Sequence, residues 1–434
     1  MFMATLVMAQ SSGVKKVARY LEEDYPALEK LYKHLHQNPE LSLHEGETAE
    51  LMARELSSLG LNVIRDLGAH NLAGIFKNGE GPTLLIRADM DALPLEEKTG
   101  LPYASKAAGI NAAGDEVGIM HACGHDVHMT VFIGTARALV EASDQWKGTL
   151  VMVAQSAEEN GMGANLLFKE GLYERVPPPD FAIALHVSAQ LEAGKIGFKK
   201  GPFMASVDMV DITVFGEGGH GAAPHTTVDP IVLSANMISD FQTIVSREIN
   251  PTDPAVVTVG SIHGGTVHNI IPDEVKMQLT LRSYSEKVRN QMISGLHRIS
   301  KNMALSAGLS ADKIPVIRIR EPSTPATIND AGLTQRLVEV FGEILGNENV
   351  VEVPAVMTGE DFSRFGLQPI KVPICMFWLG AVDPDKMKAA REKGDQLPSL
   401  HSPLFAPLPE PTIKTGIKTM TRAALELFNN KGPG

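Results

Sequence analysis

The sequence predicts an α/β protein with a buried, mostly parallel sheet, interrupted by an inserted β-α-β-β-α-β domain of ferredoxin-like order. Three observations predict it. Continuous apolar runs of strand length alternate with helical segments along most of the chain. Between about 201 and 318 the strands "VDITVFG" and "VKMQLTLR" alternate apolar and polar residues, as a half-exposed sheet does. Acidic and metal-capable side chains recur just beyond the apolar runs, where open α/β sheets bind their ligands.

The elements follow in order. Residues 14 to 59 read as helical, with Leu28, Leu31 and Leu35, then Leu51, Leu56 and Leu59, at helix-like spacing, and Gly60 supplies a stop. "NVIRD", "LAGIF" and "TLLIRA" then read as strands, followed by "GTLVMVAQ", "FAIALHV" and, far downstream, "VPICMFWLG". From about Ser206 the text gives strand "VDMVDITVFG" and helix "DPIVLSANMISDFQTIVSRE". Strands "AVVTVGSIHGG" and "EVKMQLTLRSY", helix "EKVRNQMISGLHRISKNMALSAG" and strand "IPVIRIREP" complete the unit. The expected organisation is an α/β domain of residues 14–200 and 319–430, with an insertion at 201–318.

Composition bounds the function classes. A chain of 434 residues, 44% hydrophobic and 21% charged, is long enough for two or three domains around a real core. A net charge of −12 disfavours nucleic acid as a partner. Two cysteines exclude a disulfide framework, and Cys375, inside "VPICMFWLG", is expected to pack as a small hydrophobe. No apolar stretch reaches the roughly 18–20 residues of a membrane span. The opening "MFMATLVMAQSSG" is apolar but lacks a positive start. The cytoplasm is therefore the default location, with a periplasmic or secreted one as the alternative if that stretch belongs to a signal peptide.

The chemistry concentrates in "GIMHACGHDVHMT", Gly118 to Thr130. Cys123 and His125 alternate around Gly124, so both can turn toward one centre. Asp89 and Asp91 follow "TLLIRA", Glu158 and Glu159 follow "GTLVMVAQSA", and His186 closes "FAIAL". Each alone is an ordinary loop residue; their shared position at strand ends points to one site. Thiolate, imidazole and carboxylate together suit zinc, manganese, cobalt or nickel. One centre cannot use every donor, so His121 and His128 are expected to support, and Asp126 to orient a ligand histidine or bridge two metals. If Glu159 binds metal, Glu158 is left to act as general base on a water made acidic by it.

The insertion carries a second polar cluster. "GEGGHGAAPH" holds His220 and His225, "GGTVHNIIPDE" holds His268 and Asn269, and "LTLRSY" holds Arg282. Arg282 suits a carboxylate, and His220 with Asn269 suits a polarised carbonyl. His225 and His263 read as ordinary hairpin residues. His401 in "LPSLHSPLFAP", and Glu360 and Asp361 in "MTGEDF", are weak candidates by position alone.

"RADMDALP", "MHACGHDVHM", "AEEN", "ALHV", "GGHGAAPH", "HNIIPDE" and "LHSPLF" occur in this order. With them the chain resembles a metal-dependent amidohydrolase and peptidase family. That family includes hippurate hydrolase, bacterial N-acyl-amino-acid hydrolases and plant auxin-conjugate (indole-3-acetyl-amino acid) hydrolases; aminoacylase and carboxypeptidase G are more distant relatives. The likeness runs from "HQNPELSLHE" to His401. It implies two divalent metal ions held by Cys123, His125, Glu159, His186 and His401, with Glu158 as general acid/base supported by Asp91. It implies that His220, Asn269 and Arg282 bind substrate from a lid domain, through which relatives often form homodimers. The implied reaction is hydrolysis of an N-acyl amino acid to a carboxylic acid and a free amino acid. A dipeptidase or N-acetyl-diaminopimelate deacetylase is the alternative on the same site. A non-catalytic metal-binding protein is a third reading, against which the spare Glu158 argues. Two positions depart from the family pattern: Ser156 stands where proline is usual, and Gly359 where serine is common.

Overall fold

The computed structural model describes residues 22–429. The apolar opening stretch and residues 14–21 of the expected first helix lie outside the described residues. In chain order the first elements are α1 (22–37), α2 (Gly46–Ser58), β1 (Asn62–Ile64), β2 (Leu72–Asn78) and β3 (Thr83–Asp89). Next come α3 (His125–Glu141), β4 (Gly148–Gln155), β5 (Phe181–Glu192) and β6 (Ile196–Phe198). The insertion contributes β7 (Ser206–Phe215), α4 (Pro230–Thr243), β8 (Ala255–Gly264), β9 (Glu274–Ser283), α5 (Glu286–Ser306) and β10 (Val316–Ile319). The chain closes with α6 (Ala331–Leu345), β11 (Val350–Glu352), β12 (Ile374–Val382) and α7 (Pro409–Asn429).

The chain divides into two compact units. The first holds an eight-stranded sheet of order β1-β2-β4-β3-β5-β12-β6-β11. Its centre, β4, β3, β5 and β12, is parallel, and antiparallel partners flank it at β2 and β6. The expectation of a mostly parallel sheet is borne out, and the unbroken apolar runs are its buried central strands. Helix α3 is buried around most of its circumference, which is why its sequence lacks a polar stripe. Gly134 on α3 receives Ile417 of α7, where a β-carbon would overlap the isoleucine. Along α7, Ile413, Ile417, Met420, Ala424 and Leu427 recur at helical spacing and join the same core. Each such buried large aliphatic side chain contributes about 1.5–3 kcal/mol over its exposed state.

Two local expectations change. The helical reading of 14–59 is broken after residue 37, because Pro39 removes a donor and disfavours helix before it. Strand β5 does not end near His186 but runs to Glu192, paired along β12. Its pairing with β3, however, stops at Arg87–Ala184. The two strands therefore part just before Asp89 and His186.

The second unit holds a four-stranded antiparallel sheet of order β8-β9-β7-β10, with α4 and α5 packed on one face through Leu233, Met237, Phe241, Met292 and Leu296. Asp208, fully buried in β7, receives a forked contact from Arg289 of α5 at 2.6–3.0 Å, which ties helix to sheet. This unit spans Pro202–Ile328 and Ala355–Glu360, where the sequence suggests an insertion at 201–318. The chain goes on pairing with it past that point. Val207 and Thr324 exchange backbone hydrogen bonds at 2.8 and 3.0 Å, and the Ala205 N–H donates to the carbonyls of Val356 and Thr358.

Candidate metal centre and active site

The first unit gathers the metal-capable residues where its central strands part. The turn at Cys123-Gly124-His125 leads directly into α3. Gly124 has φ +80°, and a β-carbon there would overlap Val187 of β5, so both backbone angle and space demand glycine. Sγ of Cys123 lies 3.4 Å from Nε2 of His186 and 3.2 Å from Nε2 of His401. Nε2 of His401 is 3.4 Å from one oxygen of Glu159, whose other oxygen is 3.9 Å from Nε2 of His125. Cys123, His125 and His186 form one group of donors within 4.8 Å of each other; Cys123, Glu159 and His401 form a second. Glu158 joins His125 and Glu159 in a third.

Hydrogen bonding leaves these donors facing inward. His125 gives its Nδ1 proton to the carbonyl of Asp91 at 2.8 Å, and His186 gives its own to the carbonyl of Val187 at 2.8 Å. In each ring Nε2 is thereby turned to the centre. Nε2 of His125 and Oε1 of Glu159 are buried without a hydrogen-bond partner. Buried polar atoms without partners are rare, and here two lie 3.9 Å apart. Burial and the neighbouring carboxylates Glu159 and Glu158 push the Cys123 thiol up. Burial also lifts Glu159 to about 7, against the pull of His125. His125 is held at about 10: burial opposes its charge, but Asp89, Asp91 and Glu159 outweigh that. Such a field calls for positive charge. The donor chemistry, the orphaned atoms and the field all fit divalent metal.

The surrounding shell was only partly legible beforehand. His128 lies in the parting of the strands and uses both nitrogens there, toward Asp89 and the Val187 N–H. It is thus a brace, although it also falls in a donor group with Asp89 and His125. Asp126 neither orients a ligand histidine nor bridges; it pairs with His36 at 2.6 Å, and His36 also reaches Glu97 at 3.2 Å. Helix α3 puts Asp126 on another face from the donors. His121 is buried with both nitrogens unpartnered, and burial lowers it to about 4. Asp91 accepts from Ser42 at 2.6 Å and from the Glu159 backbone N–H at 3.0 Å, so it fixes the turn that carries the two glutamates.

Two supports escaped the sequence reading. Glu45, at the start of α2, is buried and accepts from the N–H of Ala157 at 2.7 Å. Ala157 has φ +53°, a strained angle for alanine, directly before Glu158. Burial first, then Asp91, raises Glu45 to about 8. Behind the site Arg87 joins Asp89 (2.6 Å), Gln155 (3.0 Å) and Asp361 (3.1 Å), all fully buried. The only signal was an arginine inside an apolar strand. Ser156, in place of the usual proline, donates its N–H to Asn71 at 2.7 Å, a bond proline cannot make.

In the second unit, a short ladder pairs His220 with Ile270, and Gly221 N–H donates to the carbonyl of Asn269 at 2.9 Å. His220 and Asn269 are thus neighbours. Nδ1 of His220 accepts from Ala222 N–H at 3.0 Å, leaving Nε2–H as a free donor. Arg282 stands apart, on β9.

A sequence profile of peptidase family M20/M25/M40 matches residues 85–425. Thermostable carboxypeptidase 2 of Saccharolobus solfataricus is 34% identical over 96% of this chain and 99% of its own. N-acetyl-L-cysteine deacetylase of Bacillus subtilis is 37% identical over 77% of this chain and 76% of its own. IAA-amino acid hydrolase ILR1-like 4 of Arabidopsis thaliana is 34% identical over 83% and 80% respectively. Among solved structures, the Bacillus subtilis YXEP protein, a dinuclear metal binding peptidase of the M20 family, superposes with a TM-score of 0.76. It is 28% identical and covers 94% of this chain and 99% of its own.

Proposed function

The chain belongs to peptidase family M20/M25/M40 and is a metal-dependent amidohydrolase or peptidase of that family; from this premise we propose that it hydrolyses N-acyl amino acids, with Glu158 as general base. The products are a carboxylic acid and a free amino acid. The observation that carries the metal part is the set of buried, unpartnered atoms on His125 and Glu159 that converge with Cys123, His186 and His401. These five residues would hold two divalent ions, with zinc, manganese, cobalt and nickel all suited to such donors. When bound, the ions polarise the amide carbonyl and make water more acidic. Glu158 takes the proton of the attacking water as its oxygen bonds to the carbonyl carbon. The C–N bond then breaks, and Glu158 returns the proton to the departing amino nitrogen. Asp91, through the Glu159 N–H, keeps this turn in place. His220, with Nε2–H free to donate, and Asn269 meet the developing oxyanion, and Arg282 holds the substrate carboxylate. Among the described residues β8 is an edge strand with one side unpaired, which supports pairing of two copies through the second unit; light scattering tests whether the chain pairs.

The deciding experiment is release of free amino acid from a panel of N-acyl amino acids and dipeptides, with each of the four metals. Cleavage of N-acyl amino acids is the expected result. Turnover of dipeptides alone would replace this reading by a dipeptidase, and a wholly inert metal-loaded chain would remove catalysis.

A further inference from the structure

Arg282 lies on the open face of the second unit's sheet. Alternation along β9 sends Met277, Leu279 and Leu281 into the core beneath the helices, and Thr280 and Arg282 to the opposite face. In register, Arg282 stands between Val207 of β7 and Val256 of β8. Its Nε donates to Thr280 at 3.1 Å, and among the described residues no carboxylate pairs with it. Burial alone lowers its pKa, so the guanidinium sits partly desolvated between two hydrocarbon neighbours. An arginine so placed has donors to spare for a planar anion.

Gly359 completes this wall. Its φ is outside the left-handed region, so the backbone does not demand glycine. Space does: a β-carbon at 359 would overlap Cγ2 of Val207 and lie 3.6 Å from a terminal nitrogen of Arg282. Any side chain at 359 would displace the valine and reach the guanidinium. With glycine there, Val207 keeps its place beside Arg282 in the register of the sheet.

We infer that Val207, seated on Gly359, walls the Arg282 subsite with hydrocarbon and selects amino-acid halves with apolar side chains over aspartate- or glutamate-type halves. This rests on the proposed role of Arg282 in holding the substrate carboxylate. One guanidinium satisfies one carboxylate; a second carboxylate would face valine without a partner, and an unpaired charge in such a place is costly. An apolar side chain gains contact in the same place.

The test compares KM and kcat of the metal-loaded protein on N-acyl-leucine, N-acyl-glutamate and an N-acyl amine lacking the carboxylate. Wild type should favour the leucine over the glutamate compound by about tenfold or more. Val207→Thr keeps the shape but sets a hydroxyl beside Arg282. It should raise KM for N-acyl-leucine about three- to tenfold, the size of one competing hydrogen bond, and affect the N-acyl amine less. Gly359→Ser alone should lose more, and adding Val207→Ala should recover activity with the preference narrowed. No preference in wild type, or equal effects of Val207→Thr on all three substrates, would overturn the inference. Arg282→Ala separates the two ideas. If it raises KM equally for amino acid and amine, the carboxylate contact itself fails. If it acts on the amino acid alone while Val207→Thr is silent, only the wall fails.

Discussion

His128 donates from Nδ1 to Asp89 at 2.6 Å across the gap left where the pairing of β3 and β5 ends. Because the Val187 N–H donates to its Nε2 at 2.9 Å, the ring must be neutral with its proton on Nδ1. Burial, which lowers its pKa, favours the same state. One side chain thus ties α3 to two strands, with its ring 4.6 Å from that of His186 and 5.2 Å from that of His125. His128→Leu should weaken metal binding by about 10–100-fold, the usual size for partners behind the ligands. His128→Gln should recover part of it, since an amide can donate at one end and accept at the other. Metal titration and the thiolate-to-cobalt absorption band read this separately from turnover. Wild-type affinity and spectrum in the leucine variant would reduce His128 to packing.

Cys123 is the sulfur donor common to two of the groups that could hold a metal ion. Cys123→Ala should lower metal content by roughly one ion per chain. Elemental analysis after dialysis measures it, and an unchanged stoichiometry and affinity would leave the thiol a packed group.

The neighbouring glutamates should separate cleanly. Glu158→Gln should lower kcat by at least about 10²-fold, the low end for loss of a general base, with metal content near wild type. Glu159→Gln should instead lose metal. Exchanged phenotypes would mean that the two roles are reversed.

His36 predicts a pH-dependent stability. Burial opposes its charge, but Asp126 and Glu97 hold its pKa up to about 10, against 6.5 for the free side chain. A raised folded pKa stabilises fully below 6.5 and loses that contribution as pH rises toward 10, as the unfolded chain releases its proton first. Each tenfold difference in proton affinity is worth about 1.4 kcal/mol. Denaturant unfolding should therefore show wild type and His36→Gln far apart near pH 6 and converging toward pH 10. A gap independent of pH would mean that His36 is neutral in the fold.

Much of this protein could be read from the order of residues alone. Apolar runs of strand length marked the parallel sheet, and strict alternation marked the half-exposed sheet of the insertion, because burial on two faces or one is written directly into side-chain period. Cys123 and His125 could be singled out by their spacing around Gly124, and Glu158 and Glu159 because strand ends in such a sheet face one edge. His186 was read the same way, although its strand runs on to Glu192. His401 had no such mark: its loop reaches the site through a backbone bond from its N–H to the carbonyl of Ala122, and only the resemblance raised it. Tertiary structure alone decided which buried polar groups meet. The pairings Asp89–His128, His36–Asp126, Glu45–Ala157 and Arg87–Asp361 join residues 39 to 274 positions apart. Period reports which face a side chain takes, whereas a hydrogen bond needs a distance and an angle that only the packed chain sets.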